Sequence, residues 1–241
     1  MSFLLDETMF QSFSWSHLWP ILLFTFITIG AIFYANKHLD DPGKSRLGFY
    51  LALIPLFFML FRAGMVIYLG KFDHKLDLPI HLCRITAIIA PFIMLNRNRF
   101  WLGVIYFWII VGTLNANITP DLYNGFPHFE YLCYFGLHSG LLVLPIYAVF
   151  VYKLKIVWKD VWVSFILTNV FVFVVHGFNY LLGSNYMYTM HKPEVASIVD
   201  YMGPWPWYLL TGQAIALVLM CLAIAPFIFN GIRPRSSSLN P

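Results

Sequence analysis

The chain's most reactive side chains fall at chosen depths rather than at random. Cys83 is the sharpest candidate, because a thiol attacks an ester carbonyl well only as thiolate, which needs a positive or basic neighbour. Arg84 is adjacent in sequence. His81 and Cys83 are two residues apart, about 200° around a helix, so they face apart, whereas His81 and Arg84 share a face. A base for Cys83 then comes from another helix, either His138 or His176. His176 shares a face with Asn179 and Tyr180, which could orient its ring. Arg62, Asn115, Asn179 and Gln213 complete the polar set, with His81 and Arg84, as candidate groups for holding an oxyanion, a phosphate or a polar substrate.

These residues need elements to position them, and the composition says which kind. Of 241 residues, 60% are hydrophobic, 19% aromatic and only 11% charged. A soluble domain carries about 25% charged residues. Mean hydropathy is +0.72. This excludes a soluble enzyme, a nucleic-acid binder and a disordered chain, and predicts an integral, multi-pass membrane protein. Long apolar runs without alternation favour helices, and each needs about 20 residues to cross. The expected class is therefore all-α and polytopic, with seven spans. They are 17–35, 48–70, 79–95, 100–116, 131–152, 161–182 and 205–229. Residues 1–16 read as an interfacial segment, 17–230 as one membrane domain, and 231–241 as a disordered cytoplasmic tail.

Ten Lys and Arg residues of the connecting segments fall on the side of the C-terminus and three on the other. The positive-inside rule then predicts an external N-terminus and a cytoplasmic C-terminus. In that frame Arg62 lies roughly 12 Å from the outer end of its span. His81, Cys83, Arg84, Thr113, Asn115, His138, His176, Asn179, Thr211 and Gln213 all lie toward the same outer half. No Asp or Glu lies within a span, and an ionisable group there marks a site by default. A polar chamber opening outward is expected, with segments 117–130 and 183–204 as its lid.

Three readings follow. The first is a lipid-active transferase or hydrolase using Cys83 with His138 or His176. The second is a non-enzymatic binding or transport protein with Arg62 and Arg84 as counter-ions for an anionic small molecule. The third is a zinc hydrolase using His81, His138 and His176, although no HExxH or CxxC is present and no metal or other cofactor is assigned. Cys133 and Cys221 read as inert, with a Cys83–Cys133 disulfide chemically open on an oxidising face.

Four segments carry a resemblance: LPIHLCRI around Cys83, YFGLHSGLLVLPIY around His138, HGFNYLLGSNYMYTMHKP from His176, and SIVDYMGPWPWY. They resemble the YwaF-type integral membrane protein family, which includes transmembrane protein 164, and cover most of residues 75–215. The resemblance implies an acyltransferase role described for the eukaryotic branch, in which a cysteine acts on phospholipid acyl chains. The matching position is Cys83. More distant lipid hydrolases pair a Thr with a His, and both His138 and His176 stand for that partner here. The partners so implied are membrane lipids, as phospholipid or lysophospholipid substrate, with no nucleic acid. The expected setting is a bacterial cell membrane.

Overall fold

A computed structural model describes residues 2–5, 8–193 and 198–229. The expected tail 231–241 lies outside the described residues. Seven helices carry the architecture: α1 (Trp15–His38), α2 (Asp41–Tyr68), α3 (Leu82–Asn96), α4 (Arg99–Ile118), α5 (Phe129–Phe150), α6 (Trp158–Leu182) and α7 (Trp207–Phe229). There is no strand among the described residues. Among the described residues six helices are long and apolar enough to cross a membrane. The exception is α3, whose 15 residues reach roughly 22 Å at 1.5 Å per residue.

Local chemistry sets the ends. Asp40 caps α2 by accepting from Gly43 N at 2.8 Å, with Pro42 in the first turn. This starts α2 seven residues before the apolar run that announces it. Asn98 caps α4 through Trp101 N at 3.2 Å, and Asp160 accepts from Val157 N at 2.8 Å at the start of α6. Gly183, at φ +61°, ends α6 in the left-handed conformation that glycine adopts without strain. The N-terminal segment is one 3-10 turn, Ser2–Leu5, followed by residues 8–10 lying antiparallel to 123–125.

At the centre stands α5. Of its most apolar stretch 67% is buried, against 17% for α1 and α6 and 11% for α7. It packs on α1, α2, α3 and α4, while α6 lies on α4 and α7 flanks α6. Two glycines explain the closest of these contacts. A Cβ at Gly136 would fall 2.2 Å from the Phe58 ring, and one at Gly140 would fall 3.3 Å from Pro55 Cδ. Small residues four apart let helix backbones approach closely in lipid, so α2 seats on this stripe. His138 lies two residues from each glycine, about 200° around the helix, and is turned away from α2.

The other decisive feature is in α4, where Trp108–Thr113 forms a π-helical turn. Such a turn accommodates an extra residue and shifts every later side chain around the axis. At its end and beyond it, Thr113 and Asn117 are buried while Gly112, Leu114 and Asn115 are exposed.

Candidate active site

The thiol of Cys83, in the first turn of α3, meets Thr113 Oγ1 at 3.6 Å. From Thr113 a polar chain runs through the bundle. Asn117 Nδ2 donates to Thr113 O at 3.0 Å, and Ser139 Oγ donates to Asn117 Oδ1 at 2.6 Å. His17 Nδ1 accepts from Phe13 N at 2.9 Å, so its Nε2 carries the proton given to Asn117 O at 2.7 Å. His17, Asn117 and Ser139 are buried, and sequence reasoning put none of them at the site.

His138 Nδ1 lies 2.9 Å from Tyr134 O, with the Tyr134 ring 4.3 Å from its own. A carbonyl only accepts, so Nδ1 carries the proton and Nε2 keeps its lone pair for a proton from elsewhere. His138, Arg84 and His81 lie within electrostatic reach of one another, and Cys83 within reach of Arg84 and of Tyr134. Arg84 thus stands at the centre of a group, with Cys83 next to it in the chain and His81 and His138 within its electrostatic reach. His176 does not join it: its Nδ1 is 3.2 Å from Thr189 Oγ1, on the 183–193 segment.

Both arginines of the expected spans have partners. Arg62 NH1 donates to Asp77 Oδ1 at 2.8 Å, and its NH2 lies 3.8 Å from Glu130 Oε1. Asp77 is a loop residue, which is why an inspection of the spans finds no acid for Arg62. Arg84 NH1 donates to the carbonyls of Asp77 at 3.0 Å and Leu78 at 2.9 Å. The two arginines therefore fold the α2–α3 connection over the N-terminal end of α3, and a counter-ion role finds Arg62 already balanced.

The 183–193 segment lies on this connection. Tyr186 Oη donates to His74 O at 2.7 Å and accepts from Leu78 N at 3.0 Å, and its ring meets that of His81 edge-on at 5.4 Å. Burial pushes the Tyr186 phenol up, so it stays a donor. Asn179, fully buried, organises the turn: its Nδ2 donates to Tyr186 O at 2.8 Å and Thr189 Oγ1 at 2.9 Å. Its Oδ1 accepts from Ser184 Oγ and Tyr186 N, both at 2.8 Å. Tyr188 Oη donates to Asp121 Oδ2 at 3.2 Å, which joins the segment to the α4–α5 connection. Asn179 holds this cover rather than facing the thiol.

The remaining candidates lie apart. Asn115 is exposed and bonds back to Val111 O at 3.0 Å; the π turn brings Asn117 inward instead. Gln213 is half-buried on α7. Cys83, Cys133 and Cys221 are free thiols, so no disulfide joins Cys83 to Cys133. Among the described residues no three His, Cys, Asp or Glu side chains converge to hold a metal ion, which leaves the zinc reading without a ligand set.

No curated protein and no solved structure matches the chain. The model of the TMEM164 family matches residues 12–224. With nearly the whole helical body inside that match, and six apolar helices long enough to span a bilayer, the chain is an integral multi-pass membrane protein and belongs to the TMEM164 family.

Proposed function

We propose that this protein is a cysteine-dependent acyltransferase or acyl hydrolase acting on membrane phospholipid. The observation that carries the reading is the Cys83–Thr113 contact, with Arg84 in electrostatic reach of both Cys83 and a His138 whose Nε2 is left as acceptor. His138 Nε2 takes the thiol proton, and Cys83 Sγ attacks the ester carbonyl. The ester C–O bond then breaks, leaving a thioester, and the departing lysolipid oxygen takes the proton back from His138. A second hydroxyl, or water, releases the acyl group by the reverse sequence. Arg84, with guanidinium N–H groups to spare, is the group assigned to the developing oxyanion.

A second feature supports a lipid substrate. A cavity of about 440 Å³ lies between α1 and α5, walled by Phe24, Ile29, Phe33, Leu142 and Phe150 and reaching Ser139. Ser139 is the end of the polar chain that starts at Cys83. An acyl chain laid in this groove would reach Ser139 with its polar end.

The reading includes seven crossings, with α3 and residues 79–81 together making the third, an external N-terminus, and the site in the outer leaflet. Lipid composition in cells making Cys83→Ser, His138→Gln or His176→Gln protein tests it. Loss of acyl remodelling in the first two, with activity kept in the third, is the expected result. An unchanged acyl profile from folded, inserted Cys83→Ser protein overturns the nucleophile role.

A further inference from the structure

At the other end of α3, roughly 21 Å from Cys83 along the helix, a second cavity of about 340 Å³ opens between the α3–α4 turn and the α5–α6 connection. Its walls include Arg97, Arg99, Tyr152, Lys153 and Lys155. Four cations around one small cavity invite two ordinary explanations. Cations flank spans on the cytoplasmic side, and they balance the negative ends of helices. Neither explains how these four are held.

Arg97 and Lys153 both stand on left-handed backbone, at φ +50° and +58°. Glycine or asparagine fills such helix-ending positions at least cost. Both side chains are nonetheless long cations, and both line the same cavity. The Arg97 guanidinium lies 4.5 Å from the centre of the Tyr152 ring. Tyr152 is itself fixed, its Oη donating to Met94 O at 2.9 Å, and Gly48 gives it room: a Cβ there would fall 1.9 Å from that oxygen.

The acids nearby do not balance the charge. Asp160 takes Arg99 through both oxygens, at 3.1 and 2.6 Å. Gly103 makes room for that pair, since a Cβ there would fall 2.8 Å from Arg99 NH1. Asp41, 81% exposed, is shared at long range between Arg97 at 3.7 Å and Lys44 at 3.9 Å. Lys153 reaches Phe150 O, and Lys155 has no ion pair among the described residues. Arg97 Nε is buried without a hydrogen-bond partner. The cavity therefore has surplus positive charge, unused donors and a guanidinium preset on an aromatic face, the equipment of a phosphate site.

We propose that this cavity binds a phosphate group, with Arg97, Lys153 and Lys155 as its cations and Arg99 as a strut held by Asp160. The chemistry is shared by an anionic phospholipid headgroup and by free phosphate, and the site stands independently of any reaction at Cys83.

Thermal unfolding of the purified full chain in non-ionic detergent tests it, with dihexanoyl phosphatidic acid, dihexanoyl phosphatidylcholine and inorganic phosphate as probes. Lys153→Gly and Lys155→Gln are the variants. Glycine suits the left-handed backbone at 153, so Lys153→Gly removes the charge without straining the fold. Phosphatidic acid is expected to raise the midpoint more than phosphatidylcholine, with affinity falling about fivefold for each lysine removed. The same pattern with inorganic phosphate alone supports the site with free phosphate as its ligand. No stabilisation by either anion, equal stabilisation by phosphatidylcholine, or full stabilisation of both variants overturns the proposal.

Discussion

Cys83 Sγ and Thr113 Oγ1, 3.6 Å apart, come from helices separated by a two-residue turn, and meet because α4 contains a π turn that ends at Thr113. The hydroxyl is the thiol's side-chain hydrogen-bond partner among the described residues. A hydrogen bond of about 1 kcal/mol corresponds to roughly fivefold in rate where it favours the reactive form. Thr113→Val is expected to slow alkylation of Cys83 by a small maleimide about fivefold, while Thr113→Ser retains the wild-type rate. Labelling rates on purified protein, with Cys133 and Cys221 replaced, read this directly. Equal rates in all three proteins would show that the hydroxyl does not act on the thiol.

The α2–α5 seam offers a packing test. Gly136→Ala places a methyl 2.2 Å from the Phe58 ring, and overpacking of this kind costs about 1–3 kcal/mol. Gly177, on α6, has nothing within 4 Å of its Cβ position, so Gly177→Ala is expected to be neutral or slightly stabilising. Gly136→Ala should lower the unfolding midpoint, and combining it with Phe58→Ala should recover part of the loss. A Gly136→Ala protein as stable as wild type would place the seam elsewhere.

Hydropathy alone locates the helices, because a lipid-spanning helix must satisfy its own backbone and be apolar for most of its length. Ends set by caps are harder to see: α2 begins at Asp41, where Asp40 and Gly43 close its first turn, not at Gly48. Depth along the spans selects Cys83, His81, Arg84 and His138 as candidates. It cannot find Asp77, which reaches Arg62 from a loop. A fixed 100° per residue cannot choose Asn117 over Asn115, because the π turn changes the phase in between. Nor does it separate His138 from His176, since both lie at similar depths. The difference rests on Thr189, a loop residue that draws the His176 ring into the cover.

Arg62 and Asp77 form the anchor of the α2–α3 connection, with the Asp77 side chain only 6% exposed. Removing one partner of a buried pair leaves the other charge uncompensated and costs about 3–5 kcal/mol. Arg62→Gln is therefore expected to destabilise strongly, by about 3 kcal/mol since Arg62 itself is 28% exposed. The double variant Arg62→Gln/Asp77→Asn should recover much of that loss, because two amides can still bond. Additive losses in a double-mutant cycle of unfolding free energies would show that the pair is not coupled.

Asn179 makes four hydrogen bonds with its side-chain amide from a fully buried position. Asn179→Ala strands the Tyr186 carbonyl and amide and the Ser184 hydroxyl, at about 1–3 kcal/mol for each group left unpaired, and leaves Thr189 Oγ1 with its His176 contact. The 183–193 cover should open while the helices stay inserted. Limited proteolysis of the purified protein then cuts the variant within that segment well before wild type. If the cover excludes water from the thiol, Cys83 labelling by a charged, membrane-impermeant maleimide should rise in the same protein. His176→Gln, which disturbs only the Thr189 contact, should give a smaller change in both readouts. Faster proteolysis with unchanged labelling would mean that the cover folds over the α2–α3 connection without shielding Cys83.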